Sequence, residues 1–159
     1  MLSFRKFYKT LTETLFASVE TLYDLGYRKY LFLNLPPLDR TPGNQAKSNP
    51  SPNATQVAWY NEALAAQACV FGQRHGDVEV EVFDAHARLA GMLDSPARYG
   101  IANTTGFCAG YDQPDVGIEY LKYGCPVPLD KYFWFNSGHL TSHVHRVLAG
   151  ELEAWLEGR

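Results

Sequence analysis

The chain has 159 residues, 46% of them hydrophobic and 19% charged, with a formal net charge of −3. That length suffices for one domain with a single core, and the composition excludes an intrinsically disordered chain. The mild acidity comes without a basic stripe, which removes the electrostatic basis for binding nucleic acid, and no apolar run approaches the ~20 residues needed to cross a bilayer.

The first segment reads as a helix. Phe4, Phe7, Tyr8, Leu11, Leu15, Val19, Leu22 and Tyr23 recur at spacings of three and four, which predicts one apolar face. Ser3 suits the N-cap and Gly26 the stop. Glu13 and Glu20 interrupt the apolar stretch that a secretory leader needs, so these residues are expected to be helix rather than leader. Tyr30, Leu31, Phe32, Leu33 and Leu35 then form an apolar run broken by Asn34 and ended by Pro36 and Pro37. This predicts a strand buried on both faces, as in parallel sheets. Leu38 to Pro52 is a polar loop of the length that either lines a site or lies on the surface.

Asn53 to His75 keeps the helical period through Val57, Leu64, Ala68 and Phe71. Gly76-Asp77 turns the chain into Val78-Glu79-Val80-Glu81-Val82-Phe83, where valines and glutamates alternate as on an edge strand with one polar face. Asp84 can cap a short helix through His86, Leu89, Met92 and Leu93. Pro96 to Leu129 is irregular and rich in Gly and Pro. Cys108 and Cys125 flank its core; a disulfide would clip this loop, the alternative being two free buried thiols. Cys69 is expected to be an unpaired core residue. The sequons Asn53-Ala54-Thr55 and Asn103-Thr104-Thr105, together with the proposed disulfide, point to a secreted protein. Such a body without a leader is expected to belong to a longer polypeptide. A last helix is predicted from about His139, with Leu140, Val144, Val147, Leu148, Leu152, Trp155 and Leu156 as its buried stripe.

Alternating helices and strands predict an α/β domain with a parallel sheet and helical crossovers. Two strands make only half of a doubly wound sheet, so residues 1–159 are expected to form one incomplete domain. Within it, His139 follows Asn136 by three residues, at the end of the aromatic run Tyr132-Phe133-Trp134-Phe135. An imidazole held this way can act as a general base in acyl transfer. Asn136 can orient the ring by hydrogen bonding or, as a neutral amide, select the wrong tautomer; Asp130 is an alternative acid. The four aromatics either feed the core or line a pocket. His139 and His143 are four apart, but no Glu follows His139 and no third ligand is evident, so neither a metal nor a cofactor is expected. His143 and His145 are expected at the surface or rim, and His75 and His86 in structural roles. Neither G-D-S nor G-x-S-x-G occurs, and no G-x-N block is present to furnish an oxyanion hole.

The segment Phe135-Asn136-Ser137-Gly138-His139-Leu140-Thr141 resembles the C-terminal D-x-x-H block of the SGNH/GDSL ester hydrolases, with Asn136 in place of the Asp and Leu140 in place of a Pro. Asn34-Leu35-Pro36-Pro37, Asp84 with its helix, Tyr99-Gly100, Cys108 and Cys125 occur in the order of the fungal, carbohydrate-acetylesterase-like members. The resemblance implies a three-layer, flavodoxin-like α/β fold whose parallel sheet lacks its N-terminal strands. It implies His139 as general base and Asn136 at the orienting position, with the nucleophilic Ser outside these residues. The substrates implied are small acyl esters or acetylated carbohydrates. An inactive, secreted glycan- or protein-binding relative is the alternative; the oligomeric state stays open.

Overall fold

The structure is a computed structural model that describes residues 3–158. Its elements are α1 (Phe4–Asp24), β1 (Lys29–Leu33), α2 (Pro42–Gln45), α3 (Ala54–Arg74), β2 (Glu79–Phe83), α4 (Ala85–Asp94), α5 (Val116–Glu119) and α6 (Ser142–Glu157), with short 3-10 turns between them. They group into two compact units. The first comprises the chain up to Leu35 and Pro52–Ala85, and the second comprises Pro36–Ser51 and the chain from His86 onward.

In the first unit β1 and β2 pair in parallel, in register from Lys29↔Glu79 to Leu33↔Phe83, and α3 is the crossover. This is an α/β arrangement consistent with an SGNH-type sheet lacking its N-terminal strands. The sequence sets its layers. Tyr30 and Phe32 share a face with Val80 and Val82, and that face packs with Phe16, Val19, Leu64, Ala68 and Phe71 from α1 and α3. The Phe71 ring lies 5.2 Å from Tyr30 and 5.8 Å from Phe16. Ser3 caps α1, and Asn53 caps α3 in a reciprocal capping box with Gln56. At the far end of α1, His75 Nε2 lies 2.7 Å from Glu20 and its ring stacks at 3.9 Å on Tyr23.

Three expectations for this unit need correction. The buried face of α1 is Thr12, Phe16 and Val19, while Phe4, Phe7, Leu11, Leu15 and Leu22 face outward. The helix carries two apolar stripes, and α3 covers only one of them. β1 is covered on one face alone: Leu31 and Leu33 are 40% and 47% exposed, because both helices pack on the Tyr30 and Phe32 side. Cys69 is unpaired but exposed, one residue beyond the buried position Ala68 on α3.

Two carboxylates carry a pH dependence. A hydrogen bond from Arg28 Nε at 2.7 Å is the main cause holding Asp77 below the usual carboxylate range; burial opposes it and the Tyr23 hydroxyl adds to it. In the second unit the Tyr123 hydroxyl, then Lys122 at 2.9 Å, likewise hold Asp115 down. A depressed folded-state pKa stabilises the fold above the unfolded pKa of ~3.9 and loses that contribution as pH falls through the folded value. Urea midpoints should therefore decline below about pH 4, and Asp77→Asn with Asp115→Asn should flatten that decline.

The second unit has two clusters. Leu89, Met92, Leu93, Ile101, Phe133, Trp134 and Val144 form the larger. Cys108, Val116, Cys125 and Tyr132 form the smaller, around a Cys108–Cys125 disulfide with Cα atoms 5.2 Å apart. The covalent clip, not the pair of free thiols, is thus realised. Gly110 permits the close packing beside it, since a Cβ there would lie 2.5 Å from Tyr123 Cβ. Replacing both Cys108 and Cys125 by Ala should destabilise the fold by ~3 kcal/mol, read as a lower denaturation midpoint.

Candidate active site

The aromatic run divides as it approaches His139. Tyr132, Phe133 and Trp134 are core residues, each no more than 2% exposed, so they line no pocket; burial pushes the Tyr132 phenol up. Phe135 is only half-buried, and its ring meets Tyr111 edge-on at 5.2 Å, with Phe107 a further 5.9 Å along. No sequence pattern points to this aromatic ladder, because residues 107 and 111 lie in the irregular segment.

A narrow turn follows. Trp134 and Leu140 bridge antiparallel, and the Phe135 N–H donates to the His139 carbonyl at 2.7 Å. The Thr141 hydroxyl donates to the Tyr132 carbonyl at 2.8 Å, and its oxygen caps α6 by accepting from the Val144 N–H. The helix therefore begins at Ser142 behind a Thr141 cap, not at His139. His139 stands in the turn, so it does not share a helix face with His143, whose Nε2 lies 2.7 Å from the Tyr99 carbonyl. Among the described residues no three His, Cys, Asp or Glu side chains gather in a way that could hold a metal ion.

Within the turn, Asn136 Oδ1 is the focus. It accepts from the Gly138 N–H at 3.0 Å and the His139 N–H at 2.9 Å, and lies 2.9 Å from His139 Nδ1. Two backbone donors, which can only donate, fix which end of the amide faces inward: it is the oxygen. In the neutral ring, an oxygen facing Nδ1 requires the proton there and leaves the Nε2 lone pair free. The exposed ring is thus presented as a proton acceptor at Nε2. Asp130 is not its partner; that carboxylate stands 4.0 Å from Lys131 Nζ.

The loop after Pro37 reaches this turn. The Gly43 N–H donates to the Ser137 carbonyl at 2.8 Å, and a Cβ on Gly43 would come within 3.0 Å of that oxygen. Buried Asn44 fastens the loop from within, its Oδ1 accepting from the Ser51 N–H at 2.9 Å and from Lys47 Nζ at 3.2 Å. Gly43 and Asn44 support the site without having been singled out by any motif.

No protein-family model matches the chain. Several curated proteins do. An acetylesterase of Thermothelomyces thermophilus is 30% identical over 149 residues, covering 91% of this chain and 43% of that protein. A GDSL esterase/lipase of Arabidopsis thaliana is 26% identical over 152 residues, covering 91% of the chain and 40% of that protein. GDSL esterase/lipase 3 of the same plant is 24% identical over 145 residues, 82% of the chain and 39% of the relative. The chain therefore spans well under half the length of these relatives. With relatives of that one kind aligned along nearly its whole length, and with its partial parallel α/β sheet, the chain belongs to the SGNH/GDSL family of ester hydrolases.

Proposed function

We propose that residues 1–159 form one incomplete domain, the C-terminal portion of a secreted carboxylic-ester hydrolase that removes acetyl or short acyl groups from small esters or acetylated carbohydrates. The name of the Thermothelomyces relative supports the acetyl preference, and the disulfide and the two sequons support secretion. The single observation that carries the catalytic reading is the contact of Asn136 Oδ1 with His139 Nδ1 at 2.9 Å.

In this reading His139 is the general base and Asn136 its orienting partner. A serine hydroxyl outside these residues attacks the ester carbonyl while Nε2 takes its proton. The imidazolium returns that proton to the departing alcohol, and the cycle repeats with water to release the acid. Asn136 keeps the receiving nitrogen deprotonated and aimed, but adds no charge to stabilise the imidazolium. Alone, the chain lacks the hydroxyl and is inactive.

The test is a single-chain chimera in which this chain replaces the matched share of the Thermothelomyces acetylesterase. It should hydrolyse p-nitrophenyl acetate, whereas the chain alone should not. The uncharged Asn136 favours a second reading, an inactive glycan- or protein-binding relative. A folded chimera that binds acetylated xylan saturably without turnover would establish that one instead.

A further inference from the structure

We propose that the groove between α1 and α3 binds a polysaccharide, a largely neutral sugar chain that carries sparse carboxylate groups of the kind uronic acids supply. The inference deepens the carbohydrate reading of the preceding subsection by naming a class of chain, and it is tested by binding alone.

The groove follows from how the two helices pair. α1 and α3 run side by side in the same direction: Arg5 meets Glu62, Tyr8 meets Tyr60, Phe16 meets Phe71 and Glu20 meets Arg74. Beside the buried seam the pair leaves a cleft of about 520 Å³, bordered on α1 by Arg5, Lys6 and Lys9 and on α3 by Trp59, Ala63 and Gln67. Ligand sites span ~300–1,000 Å³, so the cleft has room for a sugar ring and its neighbours. At about 100° per residue, Lys6 and Lys9 lie roughly 150° around α1 from the outward stripe of Phe4, Phe7, Leu11, Leu15 and Leu22. A neighbour packed on that stripe therefore leaves the cleft open.

The lining suits a sugar. Trp59 is half-buried, so its indole is held while part of it faces the cleft. Ala63 and Ala66 present only methyl groups beside it, which leaves space for the apolar face of a ring to lie against the indole. Among the described residues, Trp59 Nε1 and the Gln67 side-chain amide have no hydrogen-bond partner. Both can serve the hydroxyl groups of a sugar.

Charge selects the kind of chain. Three cations and one carboxylate, Glu62, border the cleft, an excess of two positive charges in a protein of net charge −3. Glu62 lies 3.4 Å from Arg5, whereas Lys6 has no ion-pair partner among the described residues. Gln67 also borders a second hollow of about 390 Å³ along the same helix pair, where Glu13 and Glu20 face one cation, Arg74. The local excess there is negative. A polymer charged at every unit meets repulsion at that end. A neutral chain with an occasional carboxylate at the Lys6 end meets none.

The experiment titrates the full chain with xylotetraose bearing a single glucuronic acid, followed through the indole N–H signals by NMR. Binding should saturate and shift the Trp59 signal, leaving those of Trp134 and Trp155 in place. Xylotetraose without the acid should bind about 3- to 10-fold more weakly, a difference that ~1 M salt abolishes. Tetragalacturonate and hexaglutamate should both bind more weakly than the singly charged probe. Lys6→Gln with Lys9→Gln alters exposed side chains, so the denaturation midpoint should hold while the preference for the acid disappears. Trp59→Ala should weaken both xylotetraose ligands at least about fivefold. The single-chain chimera should bind the probe as the chain alone does. Absence of binding, equal affinity for the charged and neutral ligands, tighter binding of tetragalacturonate or hexaglutamate, or loss of binding in the chimera would each overturn the proposal. The probe carries no ester, so the readouts separate. Turnover by the chimera without binding here would overturn the groove alone, and binding without turnover would support the groove while removing the hydrolase reading.

Discussion

His139→Ala in the single-chain chimera is expected to lower kcat for p-nitrophenyl acetate by roughly 10²- to 10⁴-fold, with KM little changed. That range is what a positioned general base contributes. The ring is exposed and held by one side-chain contact, so its removal should leave the denaturation midpoint within about 0.5 kcal/mol. Asn136 separates orientation from charge. Asn136→Asp retains an oxygen for the Gly138 and His139 N–H groups and for Nδ1. It adds a charge near the imidazolium formed in the transition state. Unit charges about 4 Å apart interact by ~4 kcal/mol at an effective dielectric of 20, and an exposed site screens much of that. A gain in turnover of roughly 10- to 100-fold follows. Asn136→Ala removes the oxygen altogether and should lower turnover, because the ring then populates both tautomers. If Asn136→Asp and Asn136→Ala behaved alike, Asn136 would have no part in presenting the ring.

Trp134→Ala should destabilise the fold by ~3–5 kcal/mol, the range for deleting a buried indole. Trp134 is 1% exposed, stacks edge-on against Phe133 at 4.7 Å and donates from Nε1 to the Thr104 carbonyl at 2.8 Å. It also bridges to Leu140 directly beside the Asn136–His139 turn. Urea denaturation reads the stability. The same variant should lose more turnover than its folded fraction accounts for, since the turn closes on that bridge. Trp134→Phe keeps most of the volume but leaves the Thr104 carbonyl without its indole donor, and should cost about 1–3 kcal/mol. Equal stability of Trp134→Ala and the parent would mean that the cluster around Leu89, Met92 and Val144 does not depend on the indole.

Much of the local structure could be read from residue types. The Ser3 cap and the valine–glutamate alternation of β2 follow from local chemistry, and the Cys108–Cys125 clip is one of two outcomes that the irregular segment allows. What could not be read depends on neighbours distant in sequence. α1 offers two apolar stripes, and periodicity alone cannot say which one α3 covers. The apolar run of β1 predicts burial on both faces, yet burial needs a second layer that these residues do not supply. Cys69 follows the buried position Ala68 by one residue, a shift of about 100° that carries it out of the core. At the site, the pairing of His139 with Asn136 could be read from their spacing. The amide's orientation could not, because the Gly138 and His139 N–H groups decide it, and the sequence shows only that an amide is present. Gly43 and Asn44 lie more than 90 residues before the turn that Gly43 supports, and their role rests on one long-range backbone hydrogen bond.

The most direct test is the protonation pattern of the His139 ring in the full chain, read by long-range proton–nitrogen correlation NMR at a pH where the imidazole is neutral. The proton should reside on Nδ1, with Nε2 carrying the lone pair, and Asn136→Ala should return the ring to a mixture of the two forms. A proton fixed on Nε2 in the parent chain, or a mixture that Asn136→Ala leaves unchanged, would contradict the claim that this turn presents His139 as a base.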